Sequence, residues 1–78
     1  MNKVSLTQMA LGQSGEVVEL LGGAGLIRRL EAMGIRIGYQ IRKISSQFMR
    51  GPITVKVGQV SLALGYGMAN KVMVKIDK

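Results

Sequence analysis

The side chains able to move protons or hold metals are few in this chain. It has no His and no Cys, which removes the imidazole that most often serves as general base and the strongest side-chain nucleophile. Its acids are Glu16, Glu19, Glu31 and Asp77. On a regular strand Glu16 and Glu19 point to opposite faces, because successive side chains alternate there. A carboxylate pair assembled from distant elements would find little polar surrounding to complete a site. Transition-metal centres draw on the same missing imidazole and thiolate. The six methionines suit adaptable packing and exposed contacts better than ligation. These residues point away from an enzyme, a resident metal and a cofactor.

Glycine-rich segments offer no phosphate loop. Gly23-Ala24-Gly25 precedes a helix, but the third glycine of a dinucleotide fingerprint falls on Arg28, and no Gly-x-x-x-x-Gly-Lys-Ser/Thr occurs. These glycines are read as letting the chain leave a strand and enter the helix tightly.

What remains to act is charge. The net charge is +7 and the pI about 10.4, compatible with nucleic acid, an anionic membrane surface or an acidic protein. The basic residues are scattered, with no run longer than two, and Tyr39, Phe48 and Tyr66 are the only aromatics. Nucleic-acid-binding sheets interleave stacking aromatics with cations, so specific nucleic-acid binding is not expected. A proline-recognition groove needs clustered aromatics too. A well-solvated surface accounts for much of the charge, and a basic nucleic-acid-binding small barrel stays as the rival class.

The elements that position these charges begin with the stretch from Gly22 to Gly38. Leu26, Leu30 and Met33 return to one stripe of a 3.6-residue period, which predicts a helix of about three turns with that stripe buried. Arg28, Glu31 and Ala32 face the other way, flanked by Ile27 and Arg29, with Arg36 just beyond. This is a candidate docking face. Gly34 falls where a left-handed residue closes a helix.

Strands follow from alternation. Ile53, Val55 and Val57, then Val60, Leu62 and Leu64, repeat every second residue, and Gly58-Gln59 between them suits a type II′ hairpin. Val72, Val74 and Ile76 define a basic-faced last strand. In 16–21 and 39–45 the alternation slips, because Val17 and Leu20, like Ile41 and Ile44, are three apart; each slip predicts a bulge. Two connections carry apolar side chains: Ser45 to Pro52, where Phe48 is expected to tuck in and Met49 to project beside Arg50, and the Gly65 to Asn70 turn with Tyr66 and Met68.

The chain of 78 residues is expected to form one domain over 1–78, and a core of that size rarely supplies more than about 3–5 kcal/mol of net stability. Absence of cysteine fits a reducing cytoplasm. The weakly apolar start, interrupted at Thr7 and Gln8, is too little for a signal peptide, and no run reaches the roughly 18 apolar residues of a membrane span, so direct membrane insertion is not expected.

The order Gly12-x-x-Gly15-x-Val17, Gly22, Leu26-x-Arg28-Arg29-Leu30-x-x-Met33-Gly34, Gly38 and Gly51-Pro52-Ile53 resembles the FeoA family of ferrous-iron transport accessory proteins. The resemblance covers nearly the whole chain and implies a mainly β fold, an SH3-like barrel. The strand pattern gives it five strands, with the helix between the first two. It also implies a non-enzymatic role with the cytosolic domain of a FeoB-type membrane GTPase, in the cytoplasm or at the inner face of the membrane through that partner. A related domain ends metal-dependent repressors, which leaves a general protein-interaction domain as a further alternative. This chain has Ile37-Gly38 where the family tends to have Pro-Gly, and Gly51-Pro52 for Gly-Asp-Pro. It also has Leu64-Gly65-Tyr66-Gly67-Met68-Ala69 for Leu-Arg-x-x-Glu-Ala. The expected partner-binding residues are Arg28, Glu31, Ala32, Arg36, Phe48, Met49, Arg50, Tyr66 and Met68.

Overall fold

The computed structural model describes residues 3–46 and 49–77. Among them the elements run β1 (Lys3–Ser5), a 3-10 turn (Leu6–Gln8), β2 (Ser14–Leu20), α1 (Ala24–Ala32), β3 (Gln40–Ser46), β4 (Ile53–Val57), β5 (Val60–Leu64), α2 (Tyr66–Ala69) and β6 (Val72–Ile76). One antiparallel sheet carries every strand, in the order β1-β6-β2-β3-β4-β5. It curls around a core centred on Leu6, Val17, Leu30, Ile41, Val55 and Val74. The mainly β expectation holds. The count and order differ: six strands stand among the described residues instead of five, and α1 lies between the second and third. The extra strand is β1, three residues too short to show a period. It pairs with β6 from Lys3↔Lys75 to Ser5↔Met73, and the turn after it buries Leu6 and Met9.

Helix α1 ends as its sequence requires. Gly34 adopts φ +94°, its N–H donates to Glu31 O at 3.0 Å, and the Ile35 N–H donates back to Leu30 O at 3.0 Å. This is a Schellman closure, and it brings Ile35 and Leu30 together, both fully buried. Leu26 and Met33, expected on the buried stripe, are only half-buried against the core. The β4–β5 hairpin closes at Val57↔Val60 with Gly58 at φ +61° and Gln59 outside the left-handed region, as a type II′ turn demands.

Both predicted bulges are present. Val18 is the extra residue between Val17 and Glu19 against β6, and it resets the phase so that Leu20 is buried. Ile44 is the extra residue between Lys43 and Ser45 against β4. There the buried neighbour is Lys43, 4% exposed, while Ile44 is 43% exposed. The Gly65 to Asn70 segment is also corrected. It is the short helix α2, held by Ala69 N–H to Gly65 O and Asn70 N–H to Tyr66 O, both 2.9 Å, with Ala69 fully buried.

Candidate partner-binding surface

The expected contact residues fall into two groups. Arg28, Ala32 and Arg36 are exposed on and beyond α1, whereas Glu31 is half-buried. Met49 and Arg50 lie on the β3–β4 connection, both in left-handed backbone at φ +57° and +62°. Met49 is 93% exposed, the projection expected of it. Arg50 Cζ sits 5.6 Å from the Tyr66 ring centroid, a cation–π contact that joins this loop to α2. Tyr66 and Met68 are half-buried against the core instead of standing out on a turn. Phe48 lies outside the described residues.

A third feature was not anticipated. A groove of about 410 Å³ opens between the end of α1 and the β4–β5 hairpin, lined by Met33, Gly34, Tyr39, Gln40, Val57, Gly58 and Val60. Alternation assigns Val60 to the core side, yet it is 59% exposed, and Tyr39 is 50% exposed. The cause is a ladder that stops early. β3 and β4 pair from Ser46↔Ile53 to Arg42↔Lys56 and no further, so Gln40 and Gly58 part and their flanking apolar side chains line the gap. The sequence signal was a valine beside the turn glycine, legible only once the register is known.

Charge is concentrated next to that gap. Arg42 faces Lys56 directly, and both are exposed. Among the described residues the one ion pair is Lys3–Glu19, at 2.9 Å, reaching across β6 from β1 to β2. An exposed pair of that kind contributes little, and it leaves most of the positive charge unmatched. No group of three or more potential metal ligands occurs among the described residues, and no helix among them is long and apolar enough to cross a membrane.

A curled antiparallel sheet with two short helices and an exposed basic, apolar-grooved face defines a small β-barrel domain. The chain belongs to the FeoA family: the FeoA domain model matches residues 4–76. It is 34% identical over 70 residues to "Putative Fe(2+) transport protein A" of Methanocaldococcus jannaschii, covering 86% of this chain and 83% of that one. A crystal structure of the iron uptake regulatory protein FeoA is 38% identical with a TM-score of 0.88, covering 97% of this chain and 99% of its own. Stenotrophomonas maltophilia FeoA complexed with zinc, described as a procaryotic SH3 domain protein, is 26% identical over 95% of this chain and 89% of its own, with a TM-score of 0.71. A manganese-dependent transcriptional repressor at 20% identity and TM-score 0.85 shares the fold, matched over 92% of this chain and 40% of its own. The chain is thus an SH3-like member of a family of ferrous-iron transport accessory proteins.

Proposed function

We propose that this protein binds the cytosolic domain of a FeoB-type membrane GTPase and supports or regulates ferrous-iron uptake, without catalysis of its own. The observation that carries the reading is the FeoA match across residues 4–76. The surface agrees with it, since unpaired cations and open apolar side chains suit a protein partner, and nothing in the titratable set suits acid–base chemistry. The docking residues on this reading are Arg28, Ala32 and Arg36, with Glu31 at their edge. The Met49, Arg50, Tyr66 and Met68 cluster, together with Phe48, is a second contact. The place of action is the cytoplasm, at the inner face of the membrane through the partner.

The test is complex formation between this chain and the transporter's purified cytosolic GTP-binding domain, followed by size-exclusion chromatography and calorimetry with GDP and with a non-hydrolysable GTP analogue. A complex in either nucleotide state is the expected result. Failure in both overturns the reading.

A further inference from the structure

We propose that the splayed end of the β3–β4 ladder receives an extended acidic segment of a partner protein, one that places a bulky apolar side chain next to a carboxylate. This rests on the reading that the chain works by binding a protein, and it adds the chemistry of the segment bound.

Two depressions meet there. The apolar groove between Met33, Tyr39, Val57 and Val60 shares Gln40 and Gly58 with a second hollow of about 300 Å³, whose other walls are Ser14, Ile41, Arg42 and Lys56. They form one channel with an apolar end and a cationic end. Arg42 and Gln40 are two residues apart on β3, a span that an extended ligand covers in about two residues of its own. The anchor and the acid of the ligand are therefore close in its sequence.

The cationic end is a row running across the sheet. Ser14 pairs with Arg42, Arg42 with Lys56, and Lys56 with Ser61, so two cations stand side by side between two hydroxyl residues. Like charges directly opposite each other destabilise a sheet. Neither cation has an ion pair among the described residues, and Arg42 Nε donates to the neutral Ser14 Oγ at 3.2 Å. Two acids lie on this side, Glu16 opposite Gln40 and Asp77, and neither forms an ion pair with Arg42 or Lys56. With its amide turned to donate, Gln40 reaches Asp77 Oδ2 at 3.0 Å and Gly15 O at 3.2 Å. An incoming carboxylate supplies the missing charge, and the guanidinium offers it a planar donor pair.

The complementary ligand is therefore acidic. A second copy of this chain is disfavoured by its own net charge of +7, which repels at close approach. A nucleic acid would meet a single aromatic, Tyr39, at an otherwise aliphatic groove, whereas base recognition leans on stacking.

The experiment titrates the 15N-labelled full chain with two synthetic peptides of one length, one carrying Leu-Phe followed by Glu-Glu and the other Leu-Phe followed by Gln-Gln. Chemical-shift changes for the acidic peptide should centre on Met33, Gly34, 39–42 and 56–60. The Gln peptide should bind about tenfold more weakly, as should the acidic peptide to Lys56→Gln, a loss typical of removing one side of a close charge pair. Lys56→Gln also removes the repulsion from Arg42, so its thermal midpoint should not fall. Val60→Ser should weaken both peptides, and Tyr39→Ser gives the same test should Val60→Ser fold poorly. Equal binding of the two peptides, or shifts centred elsewhere, overturns the proposal. The transporter's cytosolic domain, titrated in parallel, separates the two readings. If it binds wild type and Lys56→Gln with Val60→Ser equally, the channel is not the docking site and only this inference falls. If it binds neither while the acidic peptide still fills the channel, the assignment of the partner falls and the channel's chemistry stands.

Discussion

Lys43 Nζ on β3 donates to the Met9 carbonyl oxygen at 2.8 Å and to the Thr7 carbonyl oxygen at 3.2 Å. The residue is 4% exposed and has no carboxylate partner among the described residues. Its backbone joins the same segment, with Lys43 N–H donating to Gln13 O and Gly12 N–H donating to Lys43 O. One lysine thus ties the N-terminal turn to the middle of the sheet. The ammonium is solvated by main-chain carbonyls in place of water, which reduces the cost of burying it.

That arrangement sets a pH dependence. Burial lowers the Lys43 pKa below its ordinary value of 10.5. Between the folded and unfolded values the unfolded chain holds more protons, so stability rises with pH across that window. Below it the group is charged in both states and the full desolvation cost applies. The unfolding free energy of wild type minus that of Lys43→Met should therefore increase between neutral pH and 10.5. Tyr39, Tyr66 and the other lysines are common to both proteins and largely cancel in the difference. Urea unfolding at a series of pH values reads it, and a flat or falling difference would show that burial does not penalise the charge.

Helix α1 depends on one side chain more than on its propensity. Leu30 is fully buried, and its carbonyl accepts the Ile35 N–H of the closing turn. Leu30→Ala should cost roughly 2–5 kcal/mol, because it removes buried atoms and leaves a cavity. That is comparable to the whole net stability a core of this size supplies, at most about 3–5 kcal/mol. Thermal and denaturant midpoints check it; a loss under about 1 kcal/mol would mean that the site collapses around the smaller side chain.

Glycines on strand and helix should respond oppositely to alanine. A Cβ on Gly15 would run into the Lys75 carbonyl oxygen and Val74 Cγ1 on β6, so Gly15→Ala must push β2 and β6 apart at a cost of roughly 1–3 kcal/mol. Gly25 in α1 has open space at its Cβ. Gly25→Ala should stabilise by about 0.5 kcal/mol through lower backbone entropy in the unfolded chain. Paired urea unfolding curves decide both signs.

Much of the fold was legible because local rules and burial agree. The left-handed Gly34, the Gly58-Gln59 hairpin and the slips at Val18 and Ile44 each have a backbone cause that shows in a few neighbouring residues. What was missed is tertiary. β1 is specified by its pairing with β6, α2 forms because Ala69 plugs the core despite two glycines nearby, and Lys43 is buried because carbonyls from another segment receive it. The channel beside Val60 was invisible for the same reason. It exists only where β3 and β4 stop pairing and the end of α1 leans over the gap.

Nucleic-acid binding should be weak and unselective. Duplex and single-stranded oligonucleotides should bind at low salt through phosphate contacts alone, and affinity should collapse on going to physiological salt. Fluorescence anisotropy across a salt series measures this. A sequence-selective complex surviving at physiological salt would displace the accessory-protein reading.

The exposed side of α1 gives the sharpest separation of fold from function. Arg28 and Ala32 are both exposed, and surface substitutions generally change stability by about 0.5 kcal/mol or less. Arg28→Glu combined with Ala32→Glu should therefore leave the thermal midpoint nearly unchanged. A small extra cost arises because the new acid at position 32 lies at the negative end of the helix dipole. Binding to the transporter's cytosolic domain should nevertheless weaken, since the double change reverses a charge and adds bulk at the proposed contact. Lys71→Glu, exposed just ahead of β6, makes a charge-reversal control for long-range steering, which acts on association rate more than on lifetime. A faster dissociation in the helix variant, with Lys71→Glu affecting association alone, marks direct contact. If the helix variant binds as wild type does, the α1 face is not the interface. The Met49–Arg50 loop, braced on Tyr66, then becomes the surface to mutate.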